Sequence, residues 1–140
     1  MPTRLEHANI TVQDVDAAIA FLLCVDPDFT ILHDSGTGGD HRWVHLGTTH
    51  GYFALETPHD PQASPEHRRR YHDFGVNHIG LVVDDVDAVA QRLQAADYPE
   101  TYVADPHPTR IRRYFQDPSG MEWELVQYLT DDPAARFAYD

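Results

Sequence analysis

The sequence predicts an α+β fold built from two tandem β-α-β-β-β modules, which together form a cupped mixed sheet. The first observation is an internal repeat: residues 5–17, L-E-H-A-N-I-T-V-Q-D-V-D-A, align with residues 76–88, V-N-H-I-G-L-V-V-D-D-V-D-A, at a shift of 71. The second is that each copy runs from an alternating, strand-like segment into an aspartate-capped helix. A repeat at half the chain length indicates two modules packed together, because solenoids and propellers repeat every roughly 20–50 residues. The predicted single domain comprises module one (4–57), a linker (58–74), module two (75–128) and a tail (129–140).

The first module opens with a strand over Leu5–Val12, whose alternation places His7, Asn9 and Thr11 on one face. Asp14 is a natural helix N-cap, and an apolar stripe predicts a helix from there to about Leu23. Three further strands are predicted over Phe29–His33, Arg42–Leu46 and Tyr52–Glu56.

The second module repeats this order. A strand over Val76–Val83 leads to Asp85, which caps a helix of about Val86–Ala96. The remaining strands are predicted over Glu100–Val103, Ile111–Gln116 and Met121–Tyr128. The last two are joined by a tight turn, Asp117-Pro118-Ser119-Gly120, with proline and glycine at positions that favour it.

The composition restricts the classes of function. The chain has 140 residues and a formal net charge of −13, which argues against nucleic acid or an anionic membrane surface as a partner. All ten basic residues are arginine, so Schiff-base chemistry and P-loop phosphate binding, which need lysine, are excluded. A single cysteine, Cys24, and the lack of a long apolar run lead us to expect a cytoplasmic protein.

Histidines and carboxylates lie on the polar faces of otherwise hydrophobic strands. His7 and His78 occupy equivalent positions, and Glu56, Glu122 and Glu124 lie on the closing strands of the two modules. An ionised carboxylate on a half-buried face is costly unless it is paired or bound to a metal. Two imidazoles and nearby carboxylates form a ligand set for a divalent first-row metal. The alternative is that a duplicated hydrophobic fold keeps matched histidines for structural reasons.

Two motifs carry a family resemblance. The stretches N-H-I-G-L-V-V-D-D-V-D-A and D-P-S-G-M-E-W-E-L-V resemble the vicinal oxygen chelate superfamily, which includes glyoxalase I, extradiol dioxygenases and bleomycin-binding proteins. The resemblance implies that each module forms half of a cup and that metal ligands come from first and last strands. It implies His7 and His78 as the histidine ligands and Glu124 as the terminal glutamate. Glu56 would be the fourth ligand found in glyoxalase I, and Glu122 is a second-choice ligand.

The resemblance implies three functions. The leading hypothesis is a metal-dependent lyase or isomerase of glyoxalase type, in which a substrate chelates Ni, Zn, Fe or Mn through adjacent oxygens. An enediolate would form, and Glu124 or Glu56 would move the proton. The first alternative is an Fe(II) extradiol-type dioxygenase with His7, His78 and Glu124 as ligands. The second alternative is a non-catalytic binding protein of the bleomycin-resistance kind.

Other side chains are predicted to face the substrate. Alternation places Trp43 and His45 in the cup and, at the 71-residue shift, Tyr114 and Gln116. Arg112 shares that face, where it either holds a substrate carboxylate or pairs with a local aspartate. Under the dioxygenase hypothesis, Tyr114 is a candidate proton donor near the substrate. We also expect a homodimer, because exposed sheet edges need a covering partner and the family's cups are often shared between chains.

Overall fold

The computed structural model describes residues 2–64 and 68–139. It comprises two compact units, Met1–His67 and Arg68–Asp140. Each unit contains one β-α-β-β-β module with a four-stranded mixed sheet, so the predicted α+β architecture is confirmed. The boundary between the units falls within the segment that the sequence assigns to the linker.

The first unit has four strands and one helix. Their bounds are β1 His7–Thr11, α1 Val15–Val25, β2 Thr30–Asp34, β3 Trp43–Thr48 and β4 Gly51–Glu56. The strand order is β1-β4-β3-β2; β1 is parallel to β4, and the other pairs are antiparallel.

The second unit repeats this topology. Its elements are β5 His78–Val82, α2 Val86–Ala95, β6 Glu100–Val103, β7 Arg110–Gln116, β8 Glu122–Tyr128 and α3 Pro133–Arg136. The strand order is β5-β8-β7-β6, again with a parallel first pair. The short helix α3 lies in the segment predicted as the tail. Buried Arg110 fixes it by donating hydrogen bonds to the carbonyls of Arg136 and Ala138.

Both main helices begin at the predicted caps. The Asp14 carboxylate accepts a hydrogen bond from Ala17 N at 3.0 Å, and Asp85 accepts one from Ala88 N at 2.9 Å. Each helix packs on the third and fourth strands of its own unit, over the apolar faces that alternation identified. Phe53, Leu55, Trp123 and Leu125 are all buried there. Burying each such side chain contributes about 1.5–3 kcal/mol, so these faces stabilise the sheets that carry the polar groups opposite.

The register of the strands shows that the repeat is not uniform. His7 pairs with Tyr52, whereas His78 pairs with Glu122, a shift of 70 on the fourth strand. On the third strand the shift is 69, because His45 is opposite Ala54 and Tyr114 is opposite Glu124. The counterparts are therefore Tyr52 and Glu122, Ala54 and Glu124, Glu56 and Val126, Trp43 and Arg112, and His45 and Tyr114.

This register corrects the uniform shift used to match Trp43 and His45 with Tyr114 and Gln116. The second unit is two residues shorter between its helix and its third strand. Its last hairpin is one residue longer, since four residues lie between Gly47 and its partner Tyr52, and five lie between Gln116 and its partner Glu122. Insertions in connections change the spacing of residues without changing the sheet.

Candidate active site

A cavity of about 510 Å³ opens on the polar face of the second unit's sheet. Its lining residues are Tyr71, His78, Thr101, Tyr102, Arg112, Tyr114 and Glu122. They come from all four strands and from the segment that precedes β5. A pocket of this size with a few convergent polar groups is suited to a small-molecule ligand.

His78 and Glu124 form the polar pair beside this cavity. His78 Nε2 lies 2.9 Å from Glu124 Oε2, and both side chains are largely buried. The direct strand partner of Glu124 is Gly80. Because Gly80 has no side chain, the carboxylate lies over it, 3.9 Å from where a Cβ would stand, and reaches His78.

The Tyr71 hydroxyl lies between the His78 ring and Glu122. It donates to Glu122 Oε1 at 2.5 Å and lies 3.0 Å from His78 Nδ1. A phenol has one proton, so its oxygen accepts a hydrogen bond from Nδ1–H. The other ring nitrogen, Nε2, lies 2.9 Å from Glu124 Oε2, and a proton or a cation between these two atoms would satisfy both. These two groups therefore fit a divalent metal, with Tyr71 as the outer partner of the histidine ligand.

Glu122 has a different environment. The residue is 6% exposed, and its second oxygen accepts a hydrogen bond from Thr101 Oγ1 at 2.8 Å. It lies on the Nδ1 side of His78, 3.9 Å from that nitrogen, so Glu124 is the carboxylate on the Nε2 side. Burial and the hydrogen bond to Glu122 raise the pKa of Tyr71 to about 12. The Tyr71 hydroxyl therefore remains a donor to Glu122 at neutral pH.

Tyr114 and Arg112 complete the cavity from β7. Burial, followed by the hydrogen bond with Glu124, raises the pKa of Tyr114, so its hydroxyl stays protonated and donates to that carboxylate. The Tyr114 ring meets the His78 ring edge-on, with centroids 5.7 Å apart. Arg112 forms no salt bridge within residues 2–64 and 68–139, and its buried Nε has no hydrogen-bond partner there. Its guanidinium is available for an anionic group at the cavity.

Sequence reasoning missed Tyr71, which it left in the linker. The residue has a positive φ of 65°, uncommon for a side chain of this size. Asn77 holds this conformation by accepting a hydrogen bond from Tyr71 N at 2.7 Å. Strained backbone of this kind clusters at functional sites. No local sequence pattern marks this position, because only the tertiary structure brings the Tyr71 hydroxyl into contact with His78 and Glu122.

The first unit presents an aromatic row instead. His7 stacks on Tyr52 with ring centroids 5.0 Å apart, and Tyr52 stacks on His45 at 4.5 Å. Trp43 lies 5.1 Å from His45, and His33 stacks on Trp43 at 4.1 Å. The row crosses all four strands and contains three predicted site residues: His7, Trp43 and His45.

Glu56 lies away from His7. It pairs with Thr11, whereas His7 pairs with Tyr52, four residues earlier on β4. Four strand residues span roughly 13 Å. The Glu56 carboxylate instead accepts a hydrogen bond from Asn9 Nδ2 at 3.0 Å and contacts His41 and His59. Glu56 and His7 are thus on the same sheet but not brought together.

Comparison with known proteins places these features in a family. Residues 4–125 match the model of the Glyoxalase/Bleomycin resistance protein/Dioxygenase superfamily. The uncharacterised protein YaeR of Escherichia coli K12 is 26% identical over 125 residues, which cover 89% of this chain and 95% of that protein. The 2-epi-5-epi-valiolone epimerase of an Actinomyces species is 27% identical over 149 residues, covering 92% of this chain and 81% of the epimerase.

A solved structure shows the same fold. The fosfomycin resistance protein FosX of Listeria monocytogenes, in complex with Mn(II) and sulfate, superposes with a TM-score of 0.69 at 18% identity. The match covers 99% of this chain and all of FosX. Across the described residues, no helix is both long and apolar enough to cross a membrane.

Proposed function

The chain belongs to the Glyoxalase/Bleomycin resistance protein/Dioxygenase superfamily, and from that premise we propose that it is a metal-dependent isomerase or lyase of glyoxalase type. The observation that carries the proposal is the His78–Glu124 pair, which lies beside a ligand-sized cavity. The Tyr71 hydroxyl contacts the other ring nitrogen of His78. The Mn(II) in FosX supports a divalent ion, and the similarity to an epimerase supports proton-transfer chemistry.

In this proposal, His78 Nε2 and Glu124 Oε2 hold the metal. His7 remains the proposed third ligand because it repeats His78 in the sequence. The donor atoms suit Ni, Zn, Fe or Mn. When bound, the metal supplies a Lewis acid that polarises adjacent oxygens of the substrate.

The proposed proton-transfer group is Glu122. Of the two carboxylates on β8, it borders the cavity, whereas Glu124 faces the imidazole nitrogen. This proposal differs from the expectation based on the sequence, which assigned the proton transfer to Glu124 or Glu56. Glu122 would accept a proton from a carbon next to a carbonyl and return it to the neighbouring carbon, ending in its original ionised state. Tyr71 and Thr101 hold its two oxygens in position.

Arg112 defines the proposed substrate class. Among the described residues the Arg112 guanidinium has no carboxylate partner, and a guanidinium of this kind at a cavity is suited to bidentate binding of an anion. We therefore propose a small substrate with adjacent oxygens and a carboxylate. A homodimer is also proposed, and light scattering of the purified protein measures it directly.

The experiment is hydrogen–deuterium exchange. The protein is loaded separately with Ni, Zn, Mn or Fe(II) and incubated in D₂O with thiol adducts of methylglyoxal and with small α-hydroxy and α-oxo carboxylates, and proton NMR follows loss of the C–H signals. We expect exchange by the wild type, at least about 100-fold slower exchange by Glu122→Gln with normal metal content, and loss of one metal equivalent from Glu124→Gln. No exchange with any metal, or a Glu124→Gln variant that binds as many metal equivalents as the wild type, would overturn the proposal.

A second candidate function rests on the aromatic row of the first unit. Stacked rings with exposed faces bind planar aromatic ligands, as expected for a non-catalytic binding protein. Trp43 is 38% exposed, so its fluorescence reports such binding. Quenching of Trp43 by a planar aromatic ligand that is lost in His45→Ala, without any substrate turnover, would favour this function over catalysis.

A further inference from the structure

A second cluster of metal-binding side chains lies at the end of β4, outside the cavity site. Glu56 ends that strand, His41 precedes β3, and His59 follows Glu56 by three residues. His41 Nε2 and His59 Nε2 are 3.0 Å apart. Glu56 Oε1 lies 3.1 Å from His59 Nε2 and 3.7 Å from His41 Nε2.

We propose that His41, Glu56 and His59 bind a divalent transition metal ion of the Zn²⁺ type at a site separate from the cavity. The three atom separations, 3.0, 3.1 and 3.7 Å, define a triangle whose circumscribed circle has a radius of about 1.9 Å. Zinc lies about 2.0–2.2 Å from nitrogen and oxygen ligands. An ion slightly above the plane of the three atoms is therefore at bonding distance from all of them without movement of the side chains.

The orientation of the donors is consistent with this use. The two imidazole planes are perpendicular, with centroids 4.4 Å apart, so their Nε2 atoms converge while the rings do not stack. Asn9 holds the other oxygen of Glu56 at 3.0 Å and leaves Oε1 directed at the histidines. The Asn9 hydrogen bond, and secondarily the nearby imidazoles, lower the pKa of Glu56, so its carboxylate is ionised at neutral pH.

The backbone around the cluster is preorganised. Beyond the paired strands, Thr57 N donates to Arg42 O at 3.0 Å, and Arg42 N donates to Thr57 Oγ1 at 3.1 Å. These bonds fix the segments that carry His41 and His59 relative to β3 and β4. A bound ion would join both segments to the sheet at the point where the chain leaves it. Two histidines and one carboxylate leave at least one coordination position for water.

The test is Zn²⁺ titration by calorimetry, paired with NMR of the imidazole nitrogens. Wild type is expected to bind one more equivalent than His41→Ala or His59→Ala, and the His41 and His59 Nε2 signals should shift on Zn²⁺ addition. His59→Ala should disturb the fold less than His41→Ala, because the His59 side chain is 74% exposed. His50→Ala, an exposed histidine in the β3–β4 turn, is the matched control and should keep the wild-type stoichiometry.

Glu124→Gln separates this site from the proposed catalytic metal. That variant should still bind Zn²⁺ with signal shifts at His41 and His59, and combining it with His59→Ala should remove this binding. The inference is overturned if His41→Ala and His59→Ala both keep wild-type stoichiometry, or if neither Nε2 signal responds to Zn²⁺. If only the proposed cavity metal site is wrong, Zn²⁺ should still bind at His41, Glu56 and His59, and the His41 and His59 Nε2 signals should still shift.

Discussion

The two units share a topology but present different chemistry on corresponding sheet faces. Where the first unit has Tyr52 and Ala54, the second has Glu122 and Glu124. The first face is a row of stacked rings, and the second is a hydrogen-bonded network of hydroxyls, one imidazole and two carboxylates. The comparison shows that the backbone repeat preserves the positions, while the residues at two positions of the fourth strand decide which unit carries carboxylates beside its histidine.

The units also fix their last hairpins differently. In the first, Gly47 is required, because a Cβ there would lie 2.5 Å from the Gly51 carbonyl oxygen. In the second, buried Asp117 accepts hydrogen bonds from Ser119 N, Met121 N and the Trp123 indole. A missing side chain shapes one turn, and a buried carboxylate shapes the other.

The largest effect is expected from a substitution that removes the difference between the fourth strands of the two units. Glu124→Ala gives the second unit the residue that the first has at that position. Since replacing an outer partner of a ligand costs about 10- to 100-fold in metal affinity, loss of a ligand should cost more than about 100-fold. Competition with a chromophoric chelator measures this. Glu122→Gln is the control and should stay within a few-fold of wild type; equal losses in both variants would contradict the assignment of the two carboxylates.

Asp117→Ala tests the second hairpin. It leaves the buried Trp123 indole N–H without its acceptor and frees two backbone donors. A loss of about 3 kcal/mol in the free energy of unfolding is expected. Thr48→Ala in the first hairpin should change it by less than about 0.5 kcal/mol, because that side chain is exposed. Urea denaturation compares the two variants, and similar values would show that Asp117 is not the stabilising feature.

Tyr71→Phe removes one hydroxyl from the network and keeps the ring. His78 Nδ1 and Glu122 both lose a partner, so metal affinity should fall about 10- to 100-fold, as for other outer partners of a histidine ligand. The NMR shifts of the His78 nitrogens report the tautomer directly. If they match those of the wild type, Tyr71 does not set the protonation of the ring.

The smallest effect concerns an arginine in each unit that joins two carboxylates. Arg42 joins Asp16 to Asp34 in the first unit, and Arg113 joins Asp87 to Glu100 in the second. The Arg42 hydrogen bond lowers the pKa of Asp34 from 3.8 to about 2. The Arg113 hydrogen bond is likewise the main cause that lowers the pKa of Glu100 from 4.5.

A lowered carboxyl pKa stabilises the fold above the unfolded-state pKa, and this contribution is lost as pH falls through the folded-state value. Unfolding free energies measured from pH 5 to pH 2 should therefore fall less steeply in Arg42→Gln and Arg113→Gln than in the wild type. For the Arg113 pair the difference should be under about 1 kcal/mol, because both side chains are partly exposed. Parallel pH profiles for all three proteins would contradict a contribution from these arginines.

Much of the fold could be predicted because its signals are local. Asp14 and Asp85 cap the helices as predicted, and the alternation of the strands identified the buried faces. The candidate site was predicted only in part. Alternation places His78, Arg112 and Tyr114 on one face, but it does not reveal that Tyr71 reaches His78 or that Glu56 turns toward His41 and His59.

By itself, the sequence determined the duplicated module, its capped helices and the family, because these depend on periodicity and on motifs that are contiguous in the chain. Only the tertiary structure decided which carboxylate meets which imidazole. The lengths of the connections decide which residues lie opposite each other across the sheet, and no local pattern in the sequence records those pairs. For that reason Glu124 faces His78, while Glu56 belongs with His41 and His59.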